Sequence, residues 1–377
     1  MMAAILPPAM LGILGGGQLG RMFTVAAKTM GYRVTVLDPD PIAPAAEFAD
    51  VHLCHAYDDS EALQTLAKTC AAITTEFENV NADSMRWLGQ FVPVSPSGDC
   101  VAIAQNRISE KTWINKAGLA TAPYLAITSE ADLATDLTPY LPGILKTARL
   151  GYDGKGQIRV QTAAEVAAAY QQLGANDCVL EKMLALKSEV SAIVTRVSDA
   201  QISCFPVAEN HHANGILDVS IVPARVSAEL AEQAQTMAKQ LASALNYVGV
   251  LAVEFFVLAD DRLVINEIAP RPHNSGHYTL DACTCDQFQQ QVRAMCGLLP
   301  GDSRLLSPVV MVNLLGDSWG EDQSEPNWAV LMEAPNVHLH LYGKKSARPG
   351  RKMGHFTVLS ATADEALEQA RAIQETL

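Results

Sequence analysis

The chain has 377 residues, of which 49% are hydrophobic and 18% are charged. This length exceeds one ordinary core, and the balance excludes a disordered chain, so we expect two or three packed domains. A formal net charge of −14 disfavours nucleic acid as a partner, because an acidic protein repels phosphate backbones.

The N-terminal segment and the cysteines exclude further classes. The first fourteen residues lack the basic region of a signal peptide, and no run reaches the roughly 18 apolar residues of a membrane span. The eight cysteines contain no CxxC pair, which predicts reduced thiols. We therefore expect a soluble, cytoplasmic protein with no membrane partner.

The first hundred residues alternate short apolar runs with helical patterns, which is typical of a parallel α/β sheet. Strands are predicted over Met10–Leu14, Arg33–Leu37 and 71–75, with helices over 21–30, ended by Gly31, and 60–69, capped by Ser60. The third strand ends in an acidic cluster, Glu76-Phe77-Glu78-Asn79. Polar residues at this edge of a parallel sheet usually line a ligand site.

The pattern changes after a helix over 106–116 and a hinge over 118–124. Strands are predicted over 143–148, 178–183, 189–197 and 202–207, helices over 162–173 and 227–246, and a hairpin over 250–268. The last seventy residues predict mixed strands and a helix from Asp364, which is enough for a small third domain.

The loop after the first strand contains a GxGxxG motif, formed by Gly15, Gly17 and Gly20, and Asp38 ends the second strand. This pattern is typical of dinucleotide binding, so an NAD-dependent oxidoreductase is one alternative. The motif by itself indicates only an anion site, because glycines and a helix N-terminus favour any phosphate and not a dinucleotide in particular. A tight structural turn and another phosphate-bearing substrate are the other interpretations.

A second glycine-rich segment follows the strand that contains Lys146. Residues 151–157 read Gly-Tyr-Asp-Gly-Lys-Gly-Gln, and glycine freedom lets such a loop fold over phosphates and donate backbone N–H groups. The strand ending in Glu181-Lys182-Met183-Leu184, with Glu189 beyond it, is a candidate to meet a nucleotide base and ribose.

The predicted hairpin carries the candidate metal site. If Asp260 and Asp261 form its turn, Glu254 lies directly opposite Glu267. Facing carboxylates repel each other unless a cation lies between them, and oxygen ligands suit Mg²⁺. The alternative is an exposed hairpin with two solvated glutamates, since a slip of one residue would place them on opposite faces.

Together these motifs resemble an ATP-grasp nucleotide site. Three further strings, GGGQLGRM at 15–22, NEIAPRPHNSGHYT at 266–279 and YGKKSARPGRKMGH at 342–355, resemble the 5-(carboxyamino)imidazole ribonucleotide synthetase family over essentially the whole length. The resemblance implies a Rossmann-like pre-ATP-grasp domain over 1–105, an ATP-grasp α+β domain over 106–300, and a small mixed β domain, a rudiment single hybrid motif, over 301–377.

The resemblance also implies the activity. Members of that family use ATP and bicarbonate to carboxylate the amine of 5-aminoimidazole ribonucleotide in purine biosynthesis, through carboxyphosphate, and release ADP and phosphate. We expect ATP and Mg²⁺, or Mn²⁺ in its place, and a homodimer. NAD is not expected, nor is biotin, because no biotin-carrier MKM segment is present. Formate-dependent glycinamide ribonucleotide transformylase shares the architecture and is a second alternative.

Carried over by position, the resemblance implies roles for individual residues. Catalysis falls to Arg271, His273, Tyr152 and Asp153, and metal binding to Glu254 and Glu267; Ala269 stands where many superfamily members have a metal-binding Asn. The ATP-binding set is Arg107, Lys146, Gly151, Tyr152, Asp153, Gly154, Lys155, Gly156, Gln157, Glu181, Lys182, Met183, Leu184, Glu189, His212, Asn266 and Glu267. The substrate-binding set is Gln18, Leu19, Glu76, Arg271, His273, Asn274, Ser275, Lys344 and Arg351.

Chemistry alone leaves some of these choices open. His211 is as good a candidate as its neighbour His212, whereas His52, His55, His338 and His340 are interpreted as structural. The segment 344–352 carries five basic residues and no acid, with glycine and proline that shape it as a turn. Such a cationic turn suits the 5′-phosphate of a ribonucleotide; the alternative is a solvated basic loop.

Overall fold

The computed structural model describes residues 3–151 and 155–377. The N-terminal part is a parallel sheet with helices packed around it. Its strands are β1 (Met10–Leu14), β2 (Arg33–Leu37), β3 (Val51–Leu53) and β4 (Ala72–Thr75), and its helices are α1 (Gln18–Thr29), α2 (Ser60–Thr69), α3 (Ala82–Leu88) and α4 (Gly98–Ala104). The strand order is β3-β2-β1-β4.

The first two strands lie where the sequence predicts them, because each is an almost continuous apolar run that is buried on both faces. Helix α1 begins at Gln18, three residues before the predicted start. The predicted cap of α2 is wrong by one residue, since Asp59 accepts the N–H of Ala62 at 2.8 Å. Gly31 ends α1 with a positive φ of 85°, as a C-terminal glycine should.

The middle of the chain first forms a small antiparallel sheet. Helix α5 (Arg107–Lys116) precedes it, with Asn106 as N-cap. The elements that follow are β5 (Tyr124–Ile127), β6 (Gly143–Thr147), β7 (Gln157–Val160), α6 (Ala163–Gln172) and β8 (Cys178–Lys182). The strand order is β5-β8-β6-β7.

A large antiparallel sheet forms the rest of the molecule. Its strands are β9 (Leu186–Ser198), β10 (Gln201–Cys204), β11 (Ala208–Ala213), β12 (Ile216–Val222), β13 (Gly249–Leu258), β14 (Leu263–Ala269), β15 (Val309–Leu315), β16 (Val337–Leu341) and β17 (Lys352–Leu359). Their order is β14-β13-β9-β11-β12-β15-β17-β16, with β10 paired to β9. Because β15 pairs with β12, the C-terminal strands extend the central sheet.

The remaining helices pack against these sheets: α7 (Ala228–Ala244), α8 (Thr279–Ala282), α9 (Gln287–Met295), α10 (Ala329–Met332) and α11 (Ala363–Gln374). Helix α7 covers one face of β9 and β13 with its apolar stripe. Helix α9 contacts α1 and β4 as well as β9 and β13, so it joins the N-terminal sheet to the central one. Within the described ranges, no helix has both the length and the apolarity needed to cross a bilayer.

Candidate active site

The glycine loop between β1 and α1 is filled by a side chain of the protein itself. The carboxylate of Glu76, at the end of β4, accepts the N–H groups of Gly17 and Gly20, each at 2.6 Å. A Cβ at Gly15 would lie 2.2 Å from the Glu76 side chain, so the glycines make room for this carboxylate. The anion that the helix N-terminus favours is therefore already present.

Asp38 is equally occupied. Its carboxylate accepts the N–H of Gly16 at 2.6 Å, the hydroxyl of Tyr57 at 2.8 Å and the N–H of Asp40 at 2.8 Å. A dinucleotide would need this carboxylate for its ribose and the loop N–H groups for its pyrophosphate. The oxidoreductase interpretation of the motif is therefore wrong: the glycines serve internal carboxylates.

The facing of Glu254 and Glu267 across β13 and β14 is confirmed by the strand register. The register nearer the turn differs from the prediction, because Phe255 faces Ile265 and Asn266 is an extra, bulged residue. Without that bulge, Glu254 would face Asn266. The bulge therefore restores the pair of carboxylates on one face of the hairpin.

The two carboxylates differ in their surroundings. Burial and the charge of Glu267 raise the pKa of Glu254 to about 8. Burial also raises the pKa of Glu267, but the charges of Arg107 and Lys146 outweigh burial and hold this pKa below its ordinary value. Nη1 of Arg107 lies 2.9 Å from Oε2 of Glu267. The Glu267 side chain remains 40% exposed, so solvent weakens these interactions. Glu267 is therefore the ionised member of the pair, and a nearby cation would be needed to ionise Glu254 as well.

Arg271 and His273 follow β14 and lie beside this pair. Arg271 Nε donates to Glu78 Oε2 at 2.5 Å. Although burial raises the pKa of Glu78, the guanidinium outweighs this effect and holds the pKa at about 2. His273 Nδ1 accepts the N–H of Ser275 at 3.3 Å, so the neutral ring carries its proton on Nε2, which lies 3.2 Å from Glu254 Oε1.

A buried charge network surrounds Lys146. Its ammonium lies 3.0 Å from one oxygen of Glu181, and the ammonium of Lys111 lies 3.2 Å from the other. Two ammonium groups against one carboxylate leave a net formal charge of +1, which suits a phosphate. The carboxylate of Glu181 therefore fixes two lysines and is not directed to a ribose.

Of the other residues predicted to bind the nucleotide, some are engaged by the backbone of the protein and others line the carboxylate cavity. The N–H groups of Lys182 and Met183 already donate to the carbonyls of Pro123 and Pro142, so these two donors are engaged within the protein. His212 Nδ1 lies 3.0 Å from Glu189 Oε2 and lines the same cavity as the carboxylate pair. His211 instead lies 2.8 Å from Glu209 and does not line this cavity.

Three cavities meet at the site. The carboxylate cavity is lined by Arg107, Glu110, Gly151, His212, Glu254, Glu267, Arg271, His273 and Asn274, among others. The glycine-loop cavity shares Arg271, His273 and Asn274 with it and adds Gln18, Leu19, Glu76 and Lys344. The cationic cavity, of about 590 Å³, is lined by Lys155, Lys344, Arg348, Arg351 and Lys352 together with Gln18, Ile216, Pro349 and Gly350.

Asn274 is the polar side chain at this junction that is best placed to bind a ligand. It is 8% exposed, yet neither its amide oxygen nor its amide nitrogen has a hydrogen-bond partner among the described residues. Buried polar groups without partners are rare in folded proteins. An amide that lines two cavities and has no partner in the described part of the chain is suited to a polar substrate.

The cationic turn contributes Lys344 to the junction. Its ammonium donates to Gln18 Oε1 and, at 2.6 Å, to the carbonyl of Lys352. Burial and the nearby charge of Arg351 lower the pKa of Lys344 to about 8. Arg351 itself donates to the carbonyl and the hydroxyl of Ser346, at 2.7 and 2.8 Å. Lys344, Arg351 and Lys352 are thus half-buried at the cavity, whereas Lys345 and Arg348 of the same segment are exposed.

Not all predicted residues line these cavities. Ser275 is fully buried, and its hydroxyl lies 2.9 Å from Nδ1 of His273. It therefore contacts His273 and not the cavities. Gly156 has a positive φ of 70° just before β7, which begins at Gln157. Tyr152, Asp153 and Gly154 lie outside the described residues.

Sequence reasoning assigned no role to three residues that the fold brings here: Glu78, Glu110 and Lys111. Glu78 belongs to the acidic cluster after β4, so its position at a strand end could have found it. Glu110 is 3% exposed, accepts the N–H of Ile268 at 2.6 Å and has a pKa raised to about 8 by burial and Glu267. Glu110 and Lys111 lie on a helix, and no local pattern connects them with β8 or β14.

Comparisons with known proteins agree with this architecture. Three family models match in succession: the ribonucleotide synthetase preATP-grasp domain over residues 9–105, the ATP-grasp domain over 112–288, and the phosphoribosylaminoimidazole carboxylase C-terminal domain over 309–369. The predicted fold class is confirmed.

Similar full-length proteins are also known. The N5-carboxyaminoimidazole ribonucleotide synthase of Bacillus subtilis (strain 168) is 45% identical over 366 residues, covering 97% of this chain and 95% of the relative. A crystal structure of an N5-carboxyaminoimidazole ribonucleotide synthetase with ADP has 44% identity, a TM-score of 0.92 and coverage of 99% and 98% of the two chains. A synthase from Aspergillus clavatus with ADP and 5-aminoimidazole ribonucleotide has 31% identity, a TM-score of 0.88 and coverage of 98% of each chain.

Proposed function

The chain belongs to the N5-carboxyaminoimidazole ribonucleotide synthase family, and we propose that it joins bicarbonate to the amine of 5-aminoimidazole ribonucleotide at the cost of ATP. The products are N5-carboxyaminoimidazole ribonucleotide, ADP and phosphate, and the reaction belongs to purine biosynthesis. This is the function that the family resemblance of the sequence implies.

The observation that carries this proposal is the shared wall of the carboxylate and glycine-loop cavities. Arg271, His273 and Asn274 line both. The carboxylate cavity contains the carboxylate pair and Arg107, which is proposed to bind phosphate. The glycine-loop cavity contains Lys344 of the cationic turn and is proposed to bind the ribonucleotide. A reaction that activates bicarbonate with ATP and then passes its carbon to an amine needs these two cavities to meet.

On the nucleotide side, Arg107 and Lys146 are proposed to hold the phosphates of ATP, with residues 151–157 closing over them. The net positive charge at Lys146 supports this role. Residues 181–184, Glu189 and His212 are proposed to surround the adenosine. In the first step a bicarbonate oxygen attacks the γ-phosphorus, ADP leaves, and carboxyphosphate forms, shielded from water by the loop.

The carboxylate pair fits a divalent cation. Its two carboxylates face each other, and burial together with repulsion by Glu267 raises the pKa of Glu254, a repulsion that a cation would relieve. Among the described residues no group of three or more His, Cys, Asp or Glu side chains could hold a metal, so Glu254 and Glu267 would share it with ATP phosphates and water. When bound, Mg²⁺ would neutralise charge that develops on the transferred phosphoryl group.

On the ribonucleotide side, Lys344 and Arg351 are proposed to bind the 5′-phosphate, and Gln18 and Glu76 the ribose. Both oxygens of Glu76 accept one N–H each and keep further lone pairs for hydroxyl groups. Arg271 and His273 are proposed to orient bicarbonate and the amine. The amine then attacks the carboxyl carbon, loses a proton, and phosphate leaves.

The test is ADP release from ATP by the purified protein. The four additions to compare are 5-aminoimidazole ribonucleotide alone, bicarbonate alone, these two together, and formate with glycinamide ribonucleotide. We expect release to require 5-aminoimidazole ribonucleotide and bicarbonate together. Formate with glycinamide ribonucleotide should give none; release with that pair would establish the transformylase alternative instead. Absence of ADP release with every combination would overturn the proposal.

A further inference from the structure

Helix α9 carries three buried glutamines whose amides each bind the backbone of a different segment. Gln287, Gln290 and Gln291 are at most 1% exposed. Gln291 accepts the N–H of Val250 and donates to Thr74 and Ser95, which ties the N-terminal sheet to the central one. Because α9 is anchored on both sheets, a side chain on it is a fixed reference point for its neighbours.

Gln287 uses this position to hold the backbone of His273. Its Oε1 accepts the N–H of His273 at 2.8 Å, and its Nε2 donates to the carbonyl of the same residue at 2.8 Å. One amide thus binds both polar groups of a single residue. Since these groups flank the Cα from which the imidazole extends, the clamp restricts where that ring can point.

Two neighbours fix the orientation of the amide. The Nε2 of Gln287 also lies 3.0 Å from Nδ1 of the fully buried His277, which accepts its second hydrogen. A flipped amide would set Oε1 against the carbonyl of His273. A Cβ at Gly276 would lie 2.5 Å from Oε1, so the absence of a side chain there leaves room for the clamp.

We propose that Gln287 is a positioning residue for His273, acting through the backbone clamp without touching substrate. The inference rests on the proposed function, in which His273 orients bicarbonate and the amine. His273 lines both cavities of the site and its Nε2 lies 3.2 Å from Glu254. Displacement of an orienting group by about 1 Å can lower a rate by about a hundredfold.

Gln290 provides a matched control on the same helix. It makes the same two-point clamp on Gly301, accepting its N–H at 2.9 Å and donating to its carbonyl at 2.8 Å, outside the lining of the three cavities. Gln287→Met and Gln290→Met each remove a buried amide at nearly constant volume. We expect Gln287→Met to lower kcat for product formation about 10- to 100-fold with the KM for ATP unchanged. Gln290→Met should keep kcat within about twofold.

Gly276→Ala retains the amide of Gln287 but should push it away from His273, because the added Cβ would lie 2.5 Å from Oε1. Gly276→Ala should lower kcat like Gln287→Met, and the double variant should lose no more than either single one, because both act through one clamp. Equal kcat in wild type and Gln287→Met, equal losses in the two glutamine variants, or additive losses in the double variant would overturn the proposal. An inactive wild type would instead refute the proposed function, so the two failures are distinguishable.

Discussion

The pKa of Lys344 leads to a pH dependence of substrate affinity. The ammonium is partly buried beside other cations, and burial together with Arg351 lowers its pKa to about 8. If Lys344 binds the 5′-phosphate, only its protonated form is competent. A group with a lowered pKa loses its proton as the pH rises, so affinity for 5-aminoimidazole ribonucleotide should fall on the alkaline side.

The size of the effect follows from the fraction that remains protonated. The apparent dissociation constant scales inversely with that fraction, so it should rise about tenfold between pH 7 and pH 9. The substrate phosphate, with a second pKa near 6, is already a dianion and does not contribute in this range. In Lys344→Ala the KM should be raised at least about tenfold, roughly 1.4 kcal/mol, and should no longer depend on this ionisation.

Steady-state KM values for the ribonucleotide at pH 7, 8 and 9 test this prediction. Lys344→Arg should abolish the rise, because a guanidinium stays protonated throughout the range. Lys345→Ala, which alters the exposed neighbour, should keep both the wild-type KM and the rise. A wild-type KM that changes less than about twofold, or an equal rise in Lys344→Arg, would refute the assignment.

Further predictions concern the other parts of the site. Arg351→Ala should raise the KM for the ribonucleotide about tenfold or more and leave that for ATP unchanged; a wild-type KM in both Lys344→Ala and Arg351→Ala would place the phosphate elsewhere. Glu267→Gln should abolish ADP release in a folded protein, as judged by circular dichroism, whereas the exposed Glu232→Gln should remain active; wild-type ATPase activity in Glu267→Gln would contradict the metal site. NAD should show no saturable binding in a fluorescence titration, because Glu76 and Asp38 fill the glycine loop; binding that Asp38→Ala removes would contradict this. Glu110→Leu should lower the free energy of unfolding by about 1–3 kcal/mol in urea titration, because the N–H of Ile268 loses its acceptor; an unchanged midpoint would show that another group replaces it.

The sequence by itself determined the elements and the family. Met10–Leu14 and Arg33–Leu37 are continuous apolar runs between turn residues, so local physics is enough to place them. The pairing of Glu254 with Glu267 was also accessible, because a hairpin joins residues close in the chain. Even there the register depends on the bulge at Asn266, which no propensity rule predicts.

Only the tertiary structure decided which partner each charged group has. Glu76 lies 56 residues from Gly20, and Lys344 lies 326 residues from Gln18. The sequence therefore identified the glycine motif but left open whether its N–H groups bind a ligand, whereas in the fold the carboxylates of Glu76 and Asp38 accept them. The same limit applies to Glu181 between its two lysines and to Gln287 on the backbone of His273. Hydrogen bonds and ion pairs act over a few ångströms in space, and separation along the chain carries no information about that distance until the sheets are assembled.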